Sequence, residues 1–341
     1  MWGNSVGARD FSPDWKHRYF GTEVPCSDND KHQFINRFTN ASAPEKQAGK
    51  GLAKLVAGRY NERMKRTLLL LPVLLLAACQ DDHADEPATP QAMYEKALIL
   101  LQPNVENAQS DFAGALEWLH KAAEGGWLRA QLDLGGIYYA GGQGVQADAQ
   151  QALQWFTRAA AQGSKEAEVF LGLLHYDGLL GKKDVETALK HWRVAAEAGI
   201  AEGQYRLGRI LAQNEQTRQE GVDWLVKASA AVPQAATALG NLYYKYLEDA
   251  TTAAAWFEKG ALAGDPLAQH IFAEMLLLGE PLVKDETRGM AMLRMAAGQD
   301  YKPAMARLIN ILRNGKNAQE HEKEAEAWDA RLRELMSKEK N

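Results

Sequence analysis

The sequence predicts an all-α fold, a right-handed α-solenoid of about six helix-turn-helix repeats that ends in a C-terminal capping helix. The first observation is a bulky residue, usually tryptophan, that recurs through the chain. The second is a leucine or phenylalanine that follows it after 16 residues in five of six copies, and after 15 in the fourth. The third is the period, because these residues recur every 32 to 37 positions, at Leu134, Leu171, Leu207, Leu239, Phe272 and Leu308. Such a period is typical of stacked helical units that are too small to bury an apolar face alone.

Each unit predicts two antiparallel helices joined by short turns. The bulky position and the small residue four places later, such as Trp155 and Ala159, share one helical stripe. A glycine eight places after the bulky residue, such as Gly163, suits a left-handed helix C-terminus. A small residue one turn before the leucine, such as Ala167 before Leu171, lets two helix backbones approach closely. We expect the bulky side chain to fill the gap towards the neighbouring repeat.

The third and fourth units depart from this pattern. His191 stands at the bulky position of the third unit, with Trp192 displaced by one residue. The glycine-rich loop of the first unit is replaced by residues 214–216 and 247–249, which shortens the period. The sixth unit, with Met292 at the bulky position, has the pattern of a terminal repeat. We therefore predict that the curvature of the solenoid changes in the middle of the array.

Residues 155–176, with the sequence WFTRAAAQGSKEAEVFLGLLHY, resemble the Sel1-like repeat, a relative of the tetratricopeptide repeat. Residues 118–148 resemble it as well, and the resemblance covers about residues 110–315. It implies a helix-pair solenoid that works by binding protein. The chain contains only Cys26 and Cys79, so it departs from the cysteine-rich secreted members of the family, whose repeats are stapled in pairs.

Residues 64–78 have the pattern of a bacterial lipoprotein signal peptide. A Lys-Arg pair follows Met64, then about a dozen apolar residues, then small residues before Cys79. The apolar run is shorter than the roughly 20 residues that span a membrane. The sequence LAAC at 76–79 resembles the lipobox, in which the cysteine is acylated and becomes the mature N-terminus. The alternative interpretation is a buried internal helix.

Residues 1–63 do not share the repeat, and two explanations stay open for them. Translation begins at Met64 and the upstream residues are never made, or a real, disordered extension precedes the signal. Beyond the signal, residues 79–90 form an acidic, proline-containing tether, and residues 91–109 form N-terminal capping helices. The array then occupies residues 110–315 and the capping helix residues 316–341, with Ala325, Trp328, Leu332, Leu335 and Met336 on one stripe.

Residue patterns for catalysis are missing from the sequence. No histidine pair has the spacing of metal ligands on a helix, and no nucleophile elbow, phosphate loop or dinucleotide fingerprint occurs. We therefore expect no enzymatic activity, no metal and no cofactor. From Cys79 onward the chain carries 27 Lys and Arg against 37 Asp and Glu. This acidic balance disfavours a nucleic-acid partner.

A protein partner is expected to dock between about residues 190 and 247, where the repeat pattern is weakest. This segment supplies arginine, lysine and tyrosine, which are common in binding surfaces. The candidate residues are Arg193, Arg206, Arg209, Lys227, Tyr243 and Tyr244. A basic row three residues after the bulky position, at Lys121, Arg158, Lys227 and Lys259, is a second candidate. Its alternative interpretation is a solvated helix face.

The combined prediction is a monomeric, protein-binding array, anchored to a membrane through the lipid on Cys79 and facing the periplasm. Gln80 follows the cysteine in place of aspartate, which favours sorting to the outer membrane. The family resemblance implies two partner classes. The first role is an immunity protein that neutralises a periplasm-acting phospholipase effector of type VI secretion. The second is a scaffold of an envelope or polysaccharide export assembly. The β-lactamase activity attributed to the cysteine-rich relatives comes third.

Overall fold

The computed structural model describes residues 89–101, 111–141, 144–315 and 318–338. These ranges contain fourteen α-helices and no β-strand. The helices are α1 Pro90–Leu100, α2 Phe112–Glu124, α3 Leu128–Ala140, α4 Ala149–Ala161, α5 Lys165–Tyr176, α6 Val185–Glu197, α7 Ala201–Leu211, α8 Arg218–Ala228, α9 Pro233–Lys245, α10 Ala250–Leu262, α11 Pro266–Leu278, α12 Glu286–Gly298, α13 Lys302–Asn314 and α14 Ala318–Lys338.

The described residues form two compact units. Residues 89–164 contain α1 to α4, and residues 165–338 contain α5 to α14. Within each unit, every odd-numbered helix packs most extensively against the even-numbered helix that follows it. The predicted all-α solenoid of helix pairs is confirmed within each unit. The sequence pattern placed the bulky residue on the first helix of each pair. It lies instead on the second, even-numbered helix, so each pair begins with the odd-numbered helix before it.

Helix boundaries follow from local chemistry at the turns. An aspartate side chain caps six of the helix N-termini, at Asp111, Asp148, Asp184, Asp249, Asp265 and Asp285. Such a cap stabilises a helix by about 1 kcal/mol. The predicted Asp265–Pro266 start is confirmed, with Asp265 accepting from the Ala268 amide at 3.1 Å. At the other ends, Gly163 and Gly199 take the predicted left-handed conformation, with φ of 94° and 85°.

The fully buried side chain of each even-numbered helix is not at the bulky position but one residue later. Among the described residues, Trp118, Trp224 and Trp256 are only half-buried. The residues that follow the bulky position have at most 2% of their surface exposed, at Leu119, Phe156, Trp192, Leu225, Phe257 and Leu293. The expectation that the bulky side chain fills the gap towards the neighbouring repeat is confirmed at Trp155, which is 7% exposed and lies against His120 of α2.

A glycine on the preceding helix makes room for this buried side chain. The Trp192 ring lies so close to Gly172 that a Cβ there would stand 2.3 Å from the indole nitrogen. The same nitrogen donates a hydrogen bond to the Val169 carbonyl at 3.1 Å. Phe156 packs on Gly135 in the same way. The leucine-glycine pairs at 134–135, 171–172 and 239–240 are thus sockets for the aromatic rings of Phe156, Trp192 and Phe257.

The third repeat is regular at this socket. Trp192 is not displaced, because it occupies the same buried place as Phe156. His191 takes the half-buried outer place and lies 2.7 Å from the Glu168 carboxylate through Nδ1. The third repeat is therefore more regular in the structure than its sequence pattern indicates.

Helix α14 closes the array as predicted. Ala325 is fully buried, and Trp328, Leu332 and Leu335 pack against the core of the last repeats. Met336 differs from the prediction, since 49% of its surface is exposed. Three pairs of opposite charges hold the helix at Arg294–Glu324, Arg313–Asp329 and Arg331–Asp300.

Buried His270 on α11 should make stability depend on pH. Its side chain is fully buried, and burial, with the nearby charge of Arg307, lowers its pKa from 6.5 to about 4. The unfolded chain therefore binds more protons in this range, so stability is full above the unfolded pKa and is lost as pH falls towards 4.

We expect acidification from about pH 7 to about pH 4.5 to destabilise the wild type by roughly 2–3 kcal/mol more than a His270→Gln variant. Urea unfolding of both proteins at the two pH values measures the difference. An equal loss in both would contradict the assignment.

Several predicted features lie outside the described residues. These are residues 1–63, the signal peptide at 64–78, the lipid-attachment residue Cys79 and most of the tether. The domain boundaries stay predictions. In the ranges that the structure describes, no helix is both long and apolar enough to cross a membrane.

Candidate functional site

The two sets of helices differ in the surface that they present within residues 165–338. Helices α5 and α7 carry no exposed residue, and α9 and α11 expose only their last residue, Lys245 and Leu278. The even-numbered helices α6, α8, α10 and α12 each carry several exposed residues. Helices α5, α7, α9 and α11 therefore contribute a surface that is mostly half-buried, whereas α13 carries five exposed residues.

Two of the predicted contact residues are committed to ion pairs inside the chain. Arg206 is 5% exposed, and its Nε lies 2.7 Å from the Glu202 carboxylate. Arg193 is about 42% exposed and donates to Glu220 at 2.5 Å across two repeats. This contact helps to lower the pKa of the Glu220 carboxyl. Both arginines hold the array together.

The other four predicted residues lie in different settings. Tyr243 and Tyr244 are half-buried and pack against the core. Lys227 is exposed on α8, on the opposite set of helices from Arg209. Arg209 on α7 is half-buried, with its guanidinium 5.9 Å from the Tyr176 ring and 5.8 Å from the Tyr205 ring. The structure does not bring the six residues into one patch.

The basic row is part of a set of tryptophan–cation pairs. Each cation lies over the tryptophan three residues before it, in the pairs Trp118–Lys121 at 4.1 Å, Trp155–Arg158 at 4.7 Å, Trp224–Lys227 at 4.0 Å and Trp256–Lys259 at 4.9 Å. Where the bulky position is His191 or Met292, the residue three places later is Val194 or Met295. The row therefore covers indole rings, three of them half-buried, which favours the interpretation as an ordinary helix face.

A second group of residues is distinguished by arginines that form no ion pair. Among the described arginines, only Arg158, Arg209 and Arg218 have no carboxylate within ion-pair distance. The Nε atoms of Arg209 and Arg218 are buried and donate no hydrogen bond within the described chain. Arg218 lies over the Tyr246 ring at 5.0 Å, and Lys183 over the Tyr176 ring at 4.0 Å.

These residues define what we call the arginine–tyrosine surface: Tyr176, Lys183, Tyr205, Arg209, Arg218 and Tyr246. Of its members, only Arg209 was among the six candidates. Nothing in the sequence pattern marks Lys183, Tyr205 or Arg218. Their role follows from which rings and carboxylates they meet after folding.

A further feature of the described ranges is their titratable groups. These ranges contain no group of three or more histidine, cysteine and acidic residues that fits a metal ion. The Nε2 atom of His120 lies 2.9 Å from the Tyr138 hydroxyl, and burial lowers the His120 pKa. A shallow cleft of about 510 Å³ lies beside α12, where Arg288 pairs with Glu258. The lining of this cleft contains no serine, cysteine or histidine that could act as a nucleophile or its base.

A family model described as the Sel1 repeat matches the chain five times, at residues 90–127, 128–164, 165–200, 233–265 and 266–301. The chain belongs to the Sel1 repeat family. Each match starts at an odd-numbered helix, as the pairwise packing does. Residues 201–232, which form the α7–α8 pair, lie outside the matches.

Two solved structures share the fold. A Sel1 repeat protein from Oxalobacter formigenes is 25% identical, with a TM-score of 0.56 over 72% of each chain. A protective antigen of uropathogenic Escherichia coli strains, which displays an SLR fold, is 28% identical, with a TM-score of 0.57 over 66% of this chain and 49% of that one. The chain thus spans about half the length of that antigen. An immunity protein from Pseudomonas aeruginosa is 19% identical, with a TM-score of 0.44, over 63% of this chain and 83% of that one. A comparison with curated proteins gave no match.

The Sel1 repeat fold is that of a protein–protein interaction module, and proteins built from it are generally non-enzymatic scaffolds. The family match indicates no catalytic family. The functional surface of this Sel1 protein is therefore expected where side chains remain available to a partner.

Proposed function

We propose that this Sel1 protein is a membrane-anchored, periplasmic module that binds a protein partner on the arginine–tyrosine surface, beside the loop between α7 and α8. The observation that carries the proposal is that the Nε atoms of Arg209 and Arg218 are buried and make no hydrogen bond within the described chain. A buried polar atom without a hydrogen bond costs about 1–3 kcal/mol. Keeping two such donors at one place favours a surface that a partner completes.

The rest of the described chain supports binding over chemistry. Nine of the twelve described arginines pair with carboxylates, at Arg129, Arg193, Arg206, Arg288, Arg294, Arg307, Arg313, Arg331 and Arg333. Most of these pairs are partly exposed, and each contributes roughly 0–1 kcal/mol. The array is thus held by packing and scattered ion pairs, and the arginine–tyrosine surface remains for recognition.

Capture in the envelope tests the binding function. The mature chain, carrying an affinity tag after its last residue, is cross-linked in cells and purified under denaturing conditions. We expect a defined protein adduct that a second Sel1 array of equal net charge does not form. Absence of a specific adduct would overturn the proposed function.

Anchoring through Cys79 is the second part of the proposal, and it rests on the sequence at 64–79. We expect Cys79→Ala to abolish labelling by a radioactive palmitate precursor and to leave the signal peptide attached. Globomycin, which blocks lipoprotein signal cleavage, should give the same precursor from the wild type. Membrane fractionation then distinguishes the inner from the outer membrane.

Mass spectrometry of the purified mature chain provides the control. The predicted N-terminal residue is acylated Cys79. A mature N-terminus upstream of Met64, or an unmodified Cys79 in the mature chain, would contradict the anchor and leave the binding function untouched.

A further inference from the structure

We propose that the arginine–tyrosine surface binds an acidic peptide segment of the partner, one that presents carboxylate side chains to Arg209 and Arg218. This inference rests on the proposed binding function and names the chemistry of the partner at that surface. The occupant is a protein segment, not a nucleic acid.

The first argument is location. Arg209 lies in the last turn of α7, and Arg218 is the first residue of α8, so both flank the loop 212–217. This helix pair, residues 201–232, lies outside the Sel1 matches. The family pattern therefore constrains the side chains of this pair less than those of the matched pairs.

The second argument is the close packing of α7 against α8 beside the loop that the two arginines flank. A Cβ on Gly221 of α8 would stand 2.3 Å from the Ala212 amide nitrogen. A Cβ on Gly208 of α7 would stand 2.8 Å from the Gly221 carbonyl oxygen. Because glycine occupies both positions, the two backbones meet directly beside the loop. Arg209 and Arg218 are therefore held on rigid helix ends and are pre-organised for a partner.

The third argument is the geometry of the cations. Guanidinium groups of Arg209 and Arg218 lie on tyrosine faces at 5.0 to 5.9 Å, which orients them without neutralising their charge. A guanidinium presents several N–H donors in a planar fork that matches a carboxylate. Lys183, which is exposed, adds a third positive charge over Tyr176.

The fourth argument is charge balance. From Cys79 onward the chain has ten more acidic than basic residues, so the cations of this surface belong to an acidic protein. A long polyanion such as nucleic acid would meet repulsion over most of the array. A short acidic peptide meets only the local positive charge. Exposed Tyr246 adds an apolar and hydrogen-bonding face of the kind that is common in protein interfaces.

A labelled oligoglutamate peptide tests the inference by fluorescence anisotropy on the mature chain. We expect binding that weakens as salt rises. The double variant Arg209→Gln/Arg218→Gln should weaken it by about tenfold or more. The matched control is Arg158→Gln, since Arg158 also lies over an aromatic ring without a carboxylate but is exposed on α4. It should change binding by less than about twofold.

Two further variants keep the test independent of folding. Lys183→Glu changes an exposed loop residue and should weaken peptide binding several-fold at an unchanged melting temperature. Arg209→Met removes the buried donor, so it should weaken binding without lowering the melting temperature.

The inference is overturned if the wild type does not bind oligoglutamate, if Arg158→Gln weakens binding as much as the double variant, or if Lys183→Glu leaves binding unchanged. Tighter binding of an oligothymidylate of equal length would overturn it in favour of nucleic acid. A double variant that still captures the envelope partner as the wild type does would overturn this inference alone. A wild type that captures no partner would remove the proposed function itself.

Discussion

Replacing Trp192 by alanine should lower the free energy of unfolding by about 3–5 kcal/mol, as expected for removal of a fully buried aromatic side chain. The ring is fully buried, fills the socket above Gly172 and donates a hydrogen bond to the Val169 carbonyl. Alanine would leave a cavity between α5 and α6 and an acceptor without its donor. Urea unfolding followed by circular dichroism gives the value.

Val194→Ala is the control on the same helix, because 39% of the Val194 surface is exposed. It should change stability by less than about 0.5 kcal/mol. A loss below about 1 kcal/mol for Trp192→Ala would contradict the socket.

The socket also predicts a coupling between its two halves. Gly172→Ala alone should cost about 1–3 kcal/mol, because the new methyl group meets the indole ring. Combined with Trp192→Leu, the same change should cost less than the sum of the single variants, since the smaller side chain leaves room. Additive costs would indicate that the glycine is required for another reason.

Deleting helix α14 should destabilise the array by roughly 4 kcal/mol or more and cause self-association. The deletion exposes the core residues that Ala325, Trp328, Leu332 and Leu335 cover. Each large apolar side chain is worth about 1.5–3 kcal/mol when fully buried and less when half-buried. The lost ion pairs add little, because they are partly exposed. A terminal repeat without a cap presents its apolar face to a second molecule.

Point variants separate the loss of packing from the loss of chain length. Trp328→Ala should reproduce part of the destabilisation, whereas Met336→Ala, at an exposed residue of the same helix, should have an effect below about 0.5 kcal/mol. Light scattering of the truncated chain measures self-association. A truncated chain that stays monomeric and loses less than about 1 kcal/mol would contradict the role as a cap.

The local features of the fold were predictable from the sequence. The period, the Asp265–Pro266 start and the Gly163 turn depend on neighbouring residues, so their chemistry is visible along the chain. The rotation of each even-numbered helix was not predictable. The bulky position and the next residue are both large or apolar in every copy, so the 16-residue spacing fits either one. The glycine socket on the preceding helix decides between them, and its partner is identified only in three dimensions.

The candidate site was predictable only in part, because charge pairing is a property of the folded chain. Arg206 and Glu202 lie one turn apart on α7, so their ion pair could have been anticipated. Arg193 and Glu220 are 27 residues apart, and nothing local indicates their contact. The availability of Arg209 likewise follows from the absence of a carboxylate within reach in the folded array, which the sequence does not reveal.

Site-specific photo-cross-linking in cells tests the central claim most directly. A photoreactive phenylalanine analogue replaces Tyr246 on the arginine–tyrosine surface or, as the matched control, Met295 on α12. Their exposed fractions are similar, 41% and 49%. A protein adduct that forms from position 246 and not from position 295, and that disappears in the Arg209→Gln/Arg218→Gln background, is the predicted result. An adduct from position 295 alone, or from neither position, would contradict protein binding at this surface.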